Sequence, residues 1–481
     1  MSTPGAKRPR GPGVIRRRVR QPAVIELPLL REAPPPPHPG RHAQVFVLAL
    51  AAIVLAGTAL LASPWTTESG AATPPVDTLF TAVSAVAVTG LVTVDTATHW
   101  NLFGEAVILA LIQIGGLGFM VGASLVLLAL RRGTTRLSDL LLIREGSPSL
   151  SLREAGSLTR RIVLFTLAAE GIGAAALTLR FWQDMPLPRA LWFGVFHAVS
   201  AFCNAGFDLQ GDFVSLIPYQ ESLAVNATIM LLIQAGALSY LVLADAATCR
   251  RWSRLAVDSK LVLLTNALLI LAGMAAFLAI EWDAALARTS DGPRVLTALF
   301  QSVTTRTAGF ATVNFAELQA ATLFVLMALM FIGGASGSTA GGVKLATVGV
   351  IAAALISTLR GQEQTQVFGR RVPTALIFRA MAVIAIMLTV HFAATALLVA
   401  TQHQGGGEEL PFVALMFETM SALATVGLST GITPLLTTEG KLILCAVMFF
   451  GRLGPLTAVY ALQRRQRPSR LRYPPVAVRI G

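Results

Sequence analysis

Apolar residues along this chain are grouped into long runs instead of recurring every few residues. Runs of about 20 apolar residues, the length of a helix that crosses a bilayer, are separated by shorter polar segments. Eight runs are predicted as membrane-spanning helices: Gln44–Ala62, Leu102–Leu130, Ile162–Leu179, Leu223–Ala244, Leu261–Ile280, Ala321–Leu359, Ala375–Ala400 and Leu442–Leu462. The pattern therefore predicts an all-α membrane protein with eight transmembrane helices.

Four shorter segments between the predicted spans resemble one another. Each begins with Phe, continues through small residues that include Ser or Thr, and ends with Gly and an apolar residue; they cover 80–91, 196–207, 300–310 and 417–428. The third is one residue shorter, and the closing glycines are 116, 103 and 118 residues apart. A fourfold repeat of this length predicts four pseudo-symmetric units around one axis. Each unit is expected to hold two spanning helices with a re-entrant pore helix between them (M1–pore helix–M2).

The end of each re-entrant segment is the predicted ion-binding site. Glycine lets the backbone turn its carbonyl groups inward without a Cβ in the way, and a ring of carbonyl oxygens replaces the hydration shell of a cation. Glycine with small neighbours is also a common helix-packing motif in membranes, but four copies in register favour the ion site. The predicted selectivity filter, with a cation bound at its residues, consists of Val88, Thr89, Gly90, Asn204, Ala205, Gly206, Thr307, Ala308, Gly309, Thr425, Val426 and Gly427.

The sixth predicted span has an abnormal centre. Residues 333–344 read GGASGSTAGGVK, and five glycines in twelve residues do not sustain a continuous helix. Broken helices mark ion and substrate sites in transporters, so this segment is predicted to gate the path beneath the filter; the alternative is a packing kink. The predicted gate residues are Gly333, Gly334, Ser336, Gly337, Ser338, Thr339, Gly341, Gly342, Lys344 and Arg452.

Four charged residues near the filter receive specific predictions. Arg452 lies inside the eighth span and is expected to face a cavity as a positive barrier; a buried salt bridge or snorkelling is the alternative. Asp95 and Asp208 follow their filter glycines closely. They are predicted to concentrate cations at the outer mouth, against the alternative of ordinary solvated loop acids. Arg306 is expected to brace the third loop.

Charge distribution predicts the orientation in the membrane. The chain has a net charge of +13, and thirty of its 38 Lys and Arg residues lie on one side of the proposed membrane. The positive-inside rule then places both termini in the cytoplasm, and no nucleic-acid partner is needed to explain the charge. With 54% hydrophobic and 13% charged residues, a multi-pass protein of the plasma (inner) membrane is expected, embedded in the lipid bilayer.

The domain organisation follows from the repeats. A disordered basic cytoplasmic arm is predicted over 1–42, and a cytoplasmic C-terminal tail over 464–481. The four repeats are predicted at 43–132, 155–246, 258–360 and 374–463. Three cysteines give no disulfide framework, and six histidines form no metal-ligand spacing. With no nucleophile and base either, the chain is not expected to be an enzyme.

Six motifs together resemble the Trk/Ktr/HKT superfamily of potassium transporters, and most closely its Ktr-type membrane subunits. They are VTGL (88–91), NAGFD (204–208), TRTAGF (305–310), ATVGL (424–428), GGASGSTAGGVK (333–344) and GRLGPLT (451–457). One departure is Ala424, where the family pattern leads us to expect glycine.

The resemblance implies a homodimer that conducts K⁺ like a channel. It also implies a cytoplasmic KtrA-like ring of RCK regulatory subunits that binds ATP or ADP, with nucleotide on that partner only. A Na⁺-permeable or Na⁺-coupled relative of the same fold is the alternative. A small-solute carrier is a further alternative, although carriers usually have two inverted halves rather than four repeats.

Overall fold

A computed structural model describes residues 39–132, 152–249, 251–287, 290–404 and 410–454, and near some of these boundaries it describes the backbone only. The predicted basic arm up to residue 38, the predicted C-terminal tail and the end of the fourth repeat lie outside the described residues. The first helix begins at Pro39, so the last four residues assigned to the arm belong to that helix.

The described chain is almost entirely helical. Its helices are α1 Pro39–Leu61, α2 Pro75–Ala87, α3 Thr96–His99, α4 Leu102–Arg132, α5 Leu152–Phe181, α6 Leu187–Cys203, α7 Leu223–Ala237, α8 Tyr240–Cys249, α9 Val257–Glu281, α10 Asp291–Thr304, α11 Ala320–Phe331, α12 Leu345–Leu359, α13 Thr374–Gln404, α14 Phe412–Ala424 and α15 Thr438–Leu453. Short 3₁₀ turns cover Pro64–Thr66, Ile217–Tyr219, Trp252–Arg254, Phe315–Glu317 and Thr433–Leu435. A two-stranded antiparallel hairpin, β1 Gln366–Val367 and β2 Arg370–Arg371, joins α12 to α13.

Four described helices are long and apolar enough to cross a membrane. The qualifying stretches are Leu102–Gly122, Gly156–Phe181, Val257–Glu281 and Thr374–Gln402. The pair α7 and α8 makes a fifth if the two are counted as one bent span. The fold is therefore helical with four to five apolar spans, and the count of eight stays a prediction.

The fourth predicted span is not the continuous helix that its apolar composition indicated. α7 and α8 meet at an angle of 98°, with Ser239 between them at φ 69°. The carbonyl groups freed at the end of α7 are used by another segment, because Ala335 N–H donates to Ala237 at 2.8 Å and Thr339 N–H donates to Gly236 at 3.2 Å. The Gly-rich loop (residues 333–344) thus docks onto the end of α7 at the bend.

The sixth predicted span is interrupted. α11 ends at Phe331 and α12 begins at Leu345, with the Gly-rich loop between them. The loop closes on itself through a parallel bridge between Ile332 and Val343. A Gly-rich sequence suits such a segment because helix formation there is costly.

The four helices that carry the repeated segments, α2, α6, α10 and α14, are called here the re-entrant helices after their sequence-based prediction. Each carries, at the start of its repeated segment, a phenylalanine that is fully buried: Phe80, Phe196, Phe300 and Phe417. The helix that follows each re-entrant helix packs on the re-entrant helix of the next segment, α4 on α6, α7 on α10, α11 on α14 and α15 on α2. The last contact joins the end of the chain to its beginning, so the packing closes on itself.

Glycines allow three of these helices to approach the centre closely. A Cβ on Gly115, Gly236 or Gly451 would collide with the carbonyl oxygens of Val86, Phe202 and Leu423, respectively. Each of these carbonyls lies four residues before the closing glycine of a repeated segment. Small residues therefore bring the surrounding helices onto the last turns of the re-entrant helices.

Candidate functional site

Each re-entrant helix leads into a tight turn of the same kind. α2, α6 and α14 end at a left-handed residue, namely Val88 (φ 55°), Asn204 (φ 59°) and Thr425 (φ 51°). The third segment is one residue shorter, and its helix ends at Thr305 in a right-handed conformation. It still reaches φ 62° at Thr307, two residues before its glycine. Left-handed non-glycine residues are rare and end helices abruptly. All four repeated segments therefore turn at corresponding positions.

The four closing glycines, called here the ring glycines, also have positive φ angles. The values are 95° at Gly90, 72° at Gly206, 82° at Gly309 and 95° at Gly427. L-residues with a side chain are disfavoured in this region, whereas glycine is not. The sequence-based expectation of a special backbone conformation at these glycines thus matches the geometry.

The ring glycines lie beside one another in chain order. A Cβ on Gly90 would meet the carbonyl oxygen of Ala205, and corresponding clashes join Gly206 to Ala308, Gly309 to Val426 and Gly427 to Thr89. The fourth contact returns to the first segment and closes the ring. Each of the four junctions between neighbouring segments therefore holds one carbonyl oxygen, and each segment contributes one. Eight of the twelve residues predicted for the filter make these contacts, and the other four, Val88, Asn204, Thr307 and Thr425, directly precede them in the chain.

A hydroxyl group four residues after the phenylalanine fixes each turn, a function that the sequence analysis missed. In the first and fourth segments the hydroxyl accepts from the ring glycine, with Gly90 N to Ser84 Oγ and Gly427 N to Ser421 Oγ both at 3.0 Å. In the second and third segments it donates instead, with Ser200 Oγ to Phe207 O and Thr304 Oγ1 to Phe310 O both at 2.7 Å. The signal was present, since every copy has Ser or Thr at this position.

The Gly-rich loop packs against the residues where the segments enter the ring. Thr339 Oγ1 donates to Asn204 Oδ1 at 2.9 Å and to the Phe202 carbonyl at 3.2 Å. Gly341 N–H donates to Thr307 Oγ1 at 3.1 Å. A Cβ on Gly341 would collide with Thr425 Oγ1. The loop therefore contacts three of the four segments at their left-handed residues.

The other predicted gate residues stabilise the loop itself. Gly337 and Gly342 have φ angles of 76° and 60°, and Ser338 Oγ donates to Ala335 O at 2.6 Å. Gly333 N–H donates to Val343 O at 2.9 Å, and Leu345 N–H donates to Gly334 O at 3.0 Å. Ser336 is half-buried, and no hydrogen bond of its side chain to a described residue is observed.

Arg452 binds carbonyl groups rather than a carboxylate. Its guanidinium donates to the carbonyl oxygen of Thr339 and, at 2.7 Å, to that of Gly115, and it lies 4.5 Å from the centre of the Phe119 ring. Lys344 Nζ lies 5.6 Å from the same ring and donates to Ala340 O at 2.6 Å. Among the described residues neither cation forms a salt bridge. The predicted cavity residue is thus a fully buried link between the Gly-rich loop and α4.

Arg306 has the bracing position expected for it. The side chain is fully buried, and its guanidinium donates to the carbonyl oxygens of Ile332 at 2.6 Å and Leu329 at 3.3 Å. Its own carbonyl accepts from Asn204 Nδ2 at 3.0 Å. Arg306 therefore connects the end of α11 to the second and third ring segments.

Asp95 and Asp208 both lie beyond the ring glycines, but their oxygens are engaged differently. Asp95 Oδ1 caps α3 by accepting from Thr98 N–H at 2.9 Å, and its Oδ2 accepts from Phe213 N–H at 2.9 Å. Asp208 Oδ1 accepts from Gln210 N–H at 3.0 Å. Asp95 therefore has a structural function that ties two outer loops together, which the sequence analysis did not anticipate.

Comparison with known proteins identifies the family. The family model for TrkH, described as a cation transport protein, matches residues 42–470. The chain belongs to this family of cation transport proteins, as its motifs predicted, and it is a multi-pass membrane protein rather than an enzyme.

Relatives match almost the whole chain. The potassium/sodium uptake protein NtpJ of Enterococcus hirae is 35% identical over 435 residues, which are 89% of this chain and 95% of that protein. The Ktr system potassium uptake protein B of Bacillus subtilis is 36% identical over 440 residues, with coverages of 91% and 96%. The crystal structure of the potassium transporter TrkH from Vibrio parahaemolyticus has a TM-score of 0.66 at 20% identity and covers 88% of this chain and 84% of that one. The last comparison establishes the shared fold.

Proposed function

We propose that this protein is the ion-translocating membrane subunit of a potassium uptake system and conducts K⁺ through the ring of four glycine segments. The observation that carries the proposal is the closed ring, in which one carbonyl oxygen of each segment lies against the ring glycine of the preceding segment. Carbonyl oxygens replace the water of a dehydrated cation, and glycine leaves the path free of side chains. The names of relatives as potassium uptake proteins support the choice of ion.

The proposed architecture is four M1–pore helix–M2 units, with eight crossing segments and both termini in the cytoplasm. The cyclic packing of α4, α7, α11 and α15 on successive re-entrant helices supports the fourfold arrangement. The excess of Lys and Arg on one side supports the orientation in the inner membrane.

The Gly-rich loop is the proposed gate. It covers the side of the ring where Asn204, Thr307 and Thr425 enter, and a cation leaving the ring on that side meets it. Three contacts hold it there: Thr339 with Asn204, Gly341 with Thr307, and Arg452 with the Thr339 carbonyl. Opening requires these polar contacts to break together, so a partner protein that pulls on α11 or α12 would control conduction.

Purified full-length protein in liposomes tests the function. With an inward K⁺ gradient and a membrane potential, uptake of ⁸⁶Rb⁺ should exceed that of protein-free liposomes and be inhibited by K⁺ far more than by Na⁺. A protein that folds and inserts but admits neither ion, with and without the Gly-rich loop shortened, would contradict conduction through the ring.

Na⁺ conduction or Na⁺ coupling is the second candidate, favoured by one observation. A relative that is 35% identical over 89% of the chain is a potassium/sodium uptake protein. The same liposomes distinguish Na⁺-coupled uptake from a K⁺-selective path. Coupled uptake requires Na⁺ on the same side of the membrane as the K⁺ that is taken up, whereas a K⁺-selective path does not.

The proposed assembly is a homodimer that docks a KtrA-like RCK ring carrying ATP or ADP. Support comes from relatives that are components of Ktr systems. Size-exclusion chromatography with light scattering measures the dimer, and co-purification of a co-expressed RCK subunit measures the docking.

A further inference from the structure

A groove between the β1–β2 hairpin and the start of α9, called here the hairpin groove, is not used by the proposed conduction path. Its cavity has a volume of about 720 Å³. The hairpin turn has φ angles of 49° at Phe368 and 74° at Gly369, the two positive values that a tight two-residue hairpin needs. The hairpin is thus a defined wall of the groove.

Basic side chains dominate the rim of this groove. Arg254, Lys260, Arg370 and Arg371 line it, and the acidic side chain among its lining residues is Asp258. Within the described part of the chain none of the four cations forms a salt bridge. Lys260 is held in place, because its ammonium donates to the Ser253 carbonyl at 3.1 Å and lies 5.8 Å from the centre of the Phe368 ring. The groove is therefore suited to an anion.

The floor of the groove is apolar and belongs to the membrane helices. Leu261 of α9, Ala346 and Val350 of α12, and Leu376 of α13 line it. Two of the long apolar stretches, Val257–Glu281 and Thr374–Gln402, begin at this level. The groove therefore lies where the hydrocarbon region of a bilayer gives way to the headgroups.

Aromatic side chains mark the same level. Trp252 is 50% exposed and Phe368 is 43% exposed, and their rings meet edge to face at 6.4 Å. Exposed aromatic residues, Trp above all, are typical of membrane–water interfaces. An acidic protein surface would satisfy the basic rim but would leave the apolar floor unfilled, whereas a phospholipid satisfies both.

We propose that the hairpin groove is a binding site for an anionic glycerophospholipid, with the phosphate on the basic rim and the start of an acyl chain along the floor. The volume suits a ligand of this size, since small-molecule sites measure about 300–1,000 Å³. The site requires that the chain lies in a membrane, and it does not require that the ring conducts ions.

Native mass spectrometry of the purified full-length protein in mild detergent tests the site. The probes are phosphatidylglycerol, phosphatidylcholine and glycerol 3-phosphate, each titrated separately. The triple variant Lys260→Gln/Arg370→Gln/Arg371→Gln removes charge from the rim, and each single variant is measured in case the triple variant does not fold. Arg360→Gln is the matched control, because Arg360 is also exposed and close in sequence but does not line the groove. Val350→Trp fills the floor and leaves the cations in place.

The wild type should retain phosphatidylglycerol in preference to phosphatidylcholine. Each neutralised rim charge should weaken that binding about fivefold, as expected for a basic residue at an anionic membrane surface. Arg360→Gln should leave it unchanged, and Val350→Trp should weaken lipid binding without changing that of glycerol 3-phosphate. Equal retention of lipid by the triple variant, or an equal loss in Arg360→Gln, would overturn the site. Glycerol 3-phosphate binding as tightly as the lipid would make it a soluble-phosphate site and overturn the lipid assignment. A triple variant that loses a co-purifying RCK subunit but keeps the lipid would make the groove a protein-docking surface instead.

Discussion

Thr339 in the Gly-rich loop donates a hydrogen bond of 2.9 Å to the side-chain oxygen of Asn204, the left-handed residue of the second ring segment. Both side chains are almost completely buried. The same hydroxyl also reaches the Phe202 carbonyl, and the Thr339 carbonyl accepts from Arg452. One residue of the loop thus contacts the ring on one side and the buried arginine on the other, so a displacement of the loop must disturb both.

Replacing Thr339 with valine should open the path. Valine keeps the shape but removes the hydroxyl, so Asn204 Oδ1 loses a partner and the closed state loses about 1–3 kcal/mol. We expect faster ⁸⁶Rb⁺ uptake into liposomes and a lower melting temperature.

The control is Thr358→Val. It removes an exposed hydroxyl that donates a hydrogen bond to the Ala354 carbonyl of the same helix. Unchanged uptake in Thr339→Val, with the protein folded, would mean that this hydrogen bond does not hold the gate closed.

Replacing Gly90 with serine should reduce the preference for K⁺ over Na⁺. The φ angle of 95° strains any side chain there, and the new Cβ would meet the Ala205 carbonyl oxygen. Strain of this kind costs roughly 1–3 kcal/mol, so we also expect reduced thermal stability. The measurement is relative permeability to K⁺ and Na⁺ in liposomes.

Gly118→Ser is the matched control, because Gly118 lies on the exposed side of α4 and its added Cβ meets nothing within 4 Å. If Gly90→Ser and the wild type have equal selectivity for K⁺ over Na⁺, the first segment is not part of the filter.

The sequence predicted the ring more completely than what surrounds it. Gly90 and the other three ring glycines could be predicted from the sequence because they recur in register. Few residue types other than glycine tolerate the positive φ angle found at these positions. The hydroxyls of Ser84 and Ser421 recur just as regularly. Their function was missed because a serine in a small-residue helix is equally typical of helix packing.

Long-range contacts could not be derived from the sequence. At the bend near Ser239 the Gly-rich loop, about 100 residues further along, donates N–H groups to the end of α7; the apolar run alone gives no sign of this contact. Likewise, the partners of Arg452 are backbone carbonyls of Gly115 and Thr339, which carry no signal in a sequence because every residue has a carbonyl.

Substitutions of Arg452 distinguish a charge barrier from a mechanical link. A barrier that acts by charge repels the passing cation by roughly 1–4 kcal/mol at effective dielectrics between water and a protein surface, and lysine preserves it. The link uses two guanidinium nitrogens, Nη1 to the Thr339 carbonyl and Nη2 to the Gly115 carbonyl, and the single nitrogen of lysine does not reproduce that fork.

Because Arg452 joins Thr339 to Gly115, we expect both Arg452→Gln and Arg452→Lys to raise ⁸⁶Rb⁺ uptake. Arg379→Gln, at an exposed position in α13, controls for loss of a basic residue. Increased uptake in the glutamine variant alone would instead identify Arg452 as a charge barrier. If neither folded variant takes up ⁸⁶Rb⁺ faster than the wild type, Arg452 does not take part in gating.

The ion pair between Lys441 and Asp77 should stabilise the closure of the helix ring. Lys441 Nζ lies 2.8 Å from Asp77 Oδ1, and each side chain is only 15% exposed. The pair joins the first turn of α15 to the first turn of α2, which are 364 positions apart in the chain. Removing one partner leaves the other charge poorly solvated, whereas removing both does not.

We therefore expect Lys441→Met and Asp77→Asn each to lower the melting temperature, and the double variant to lower it by less than the sum of the two single effects. The coupling free energy should be in the range of about 0.5–3 kcal/mol that contacting residues show. Thermal unfolding of the four proteins in the same detergent measures it, at low and high salt. The pair Arg180–Asp184, within a single turn and more exposed, serves as the comparison, since such pairs contribute about 0.3–0.5 kcal/mol. If the Lys441–Asp77 cycle gives no more coupling than the Arg180–Asp184 cycle, the closure of the ring rests on apolar packing between α15 and α2 alone.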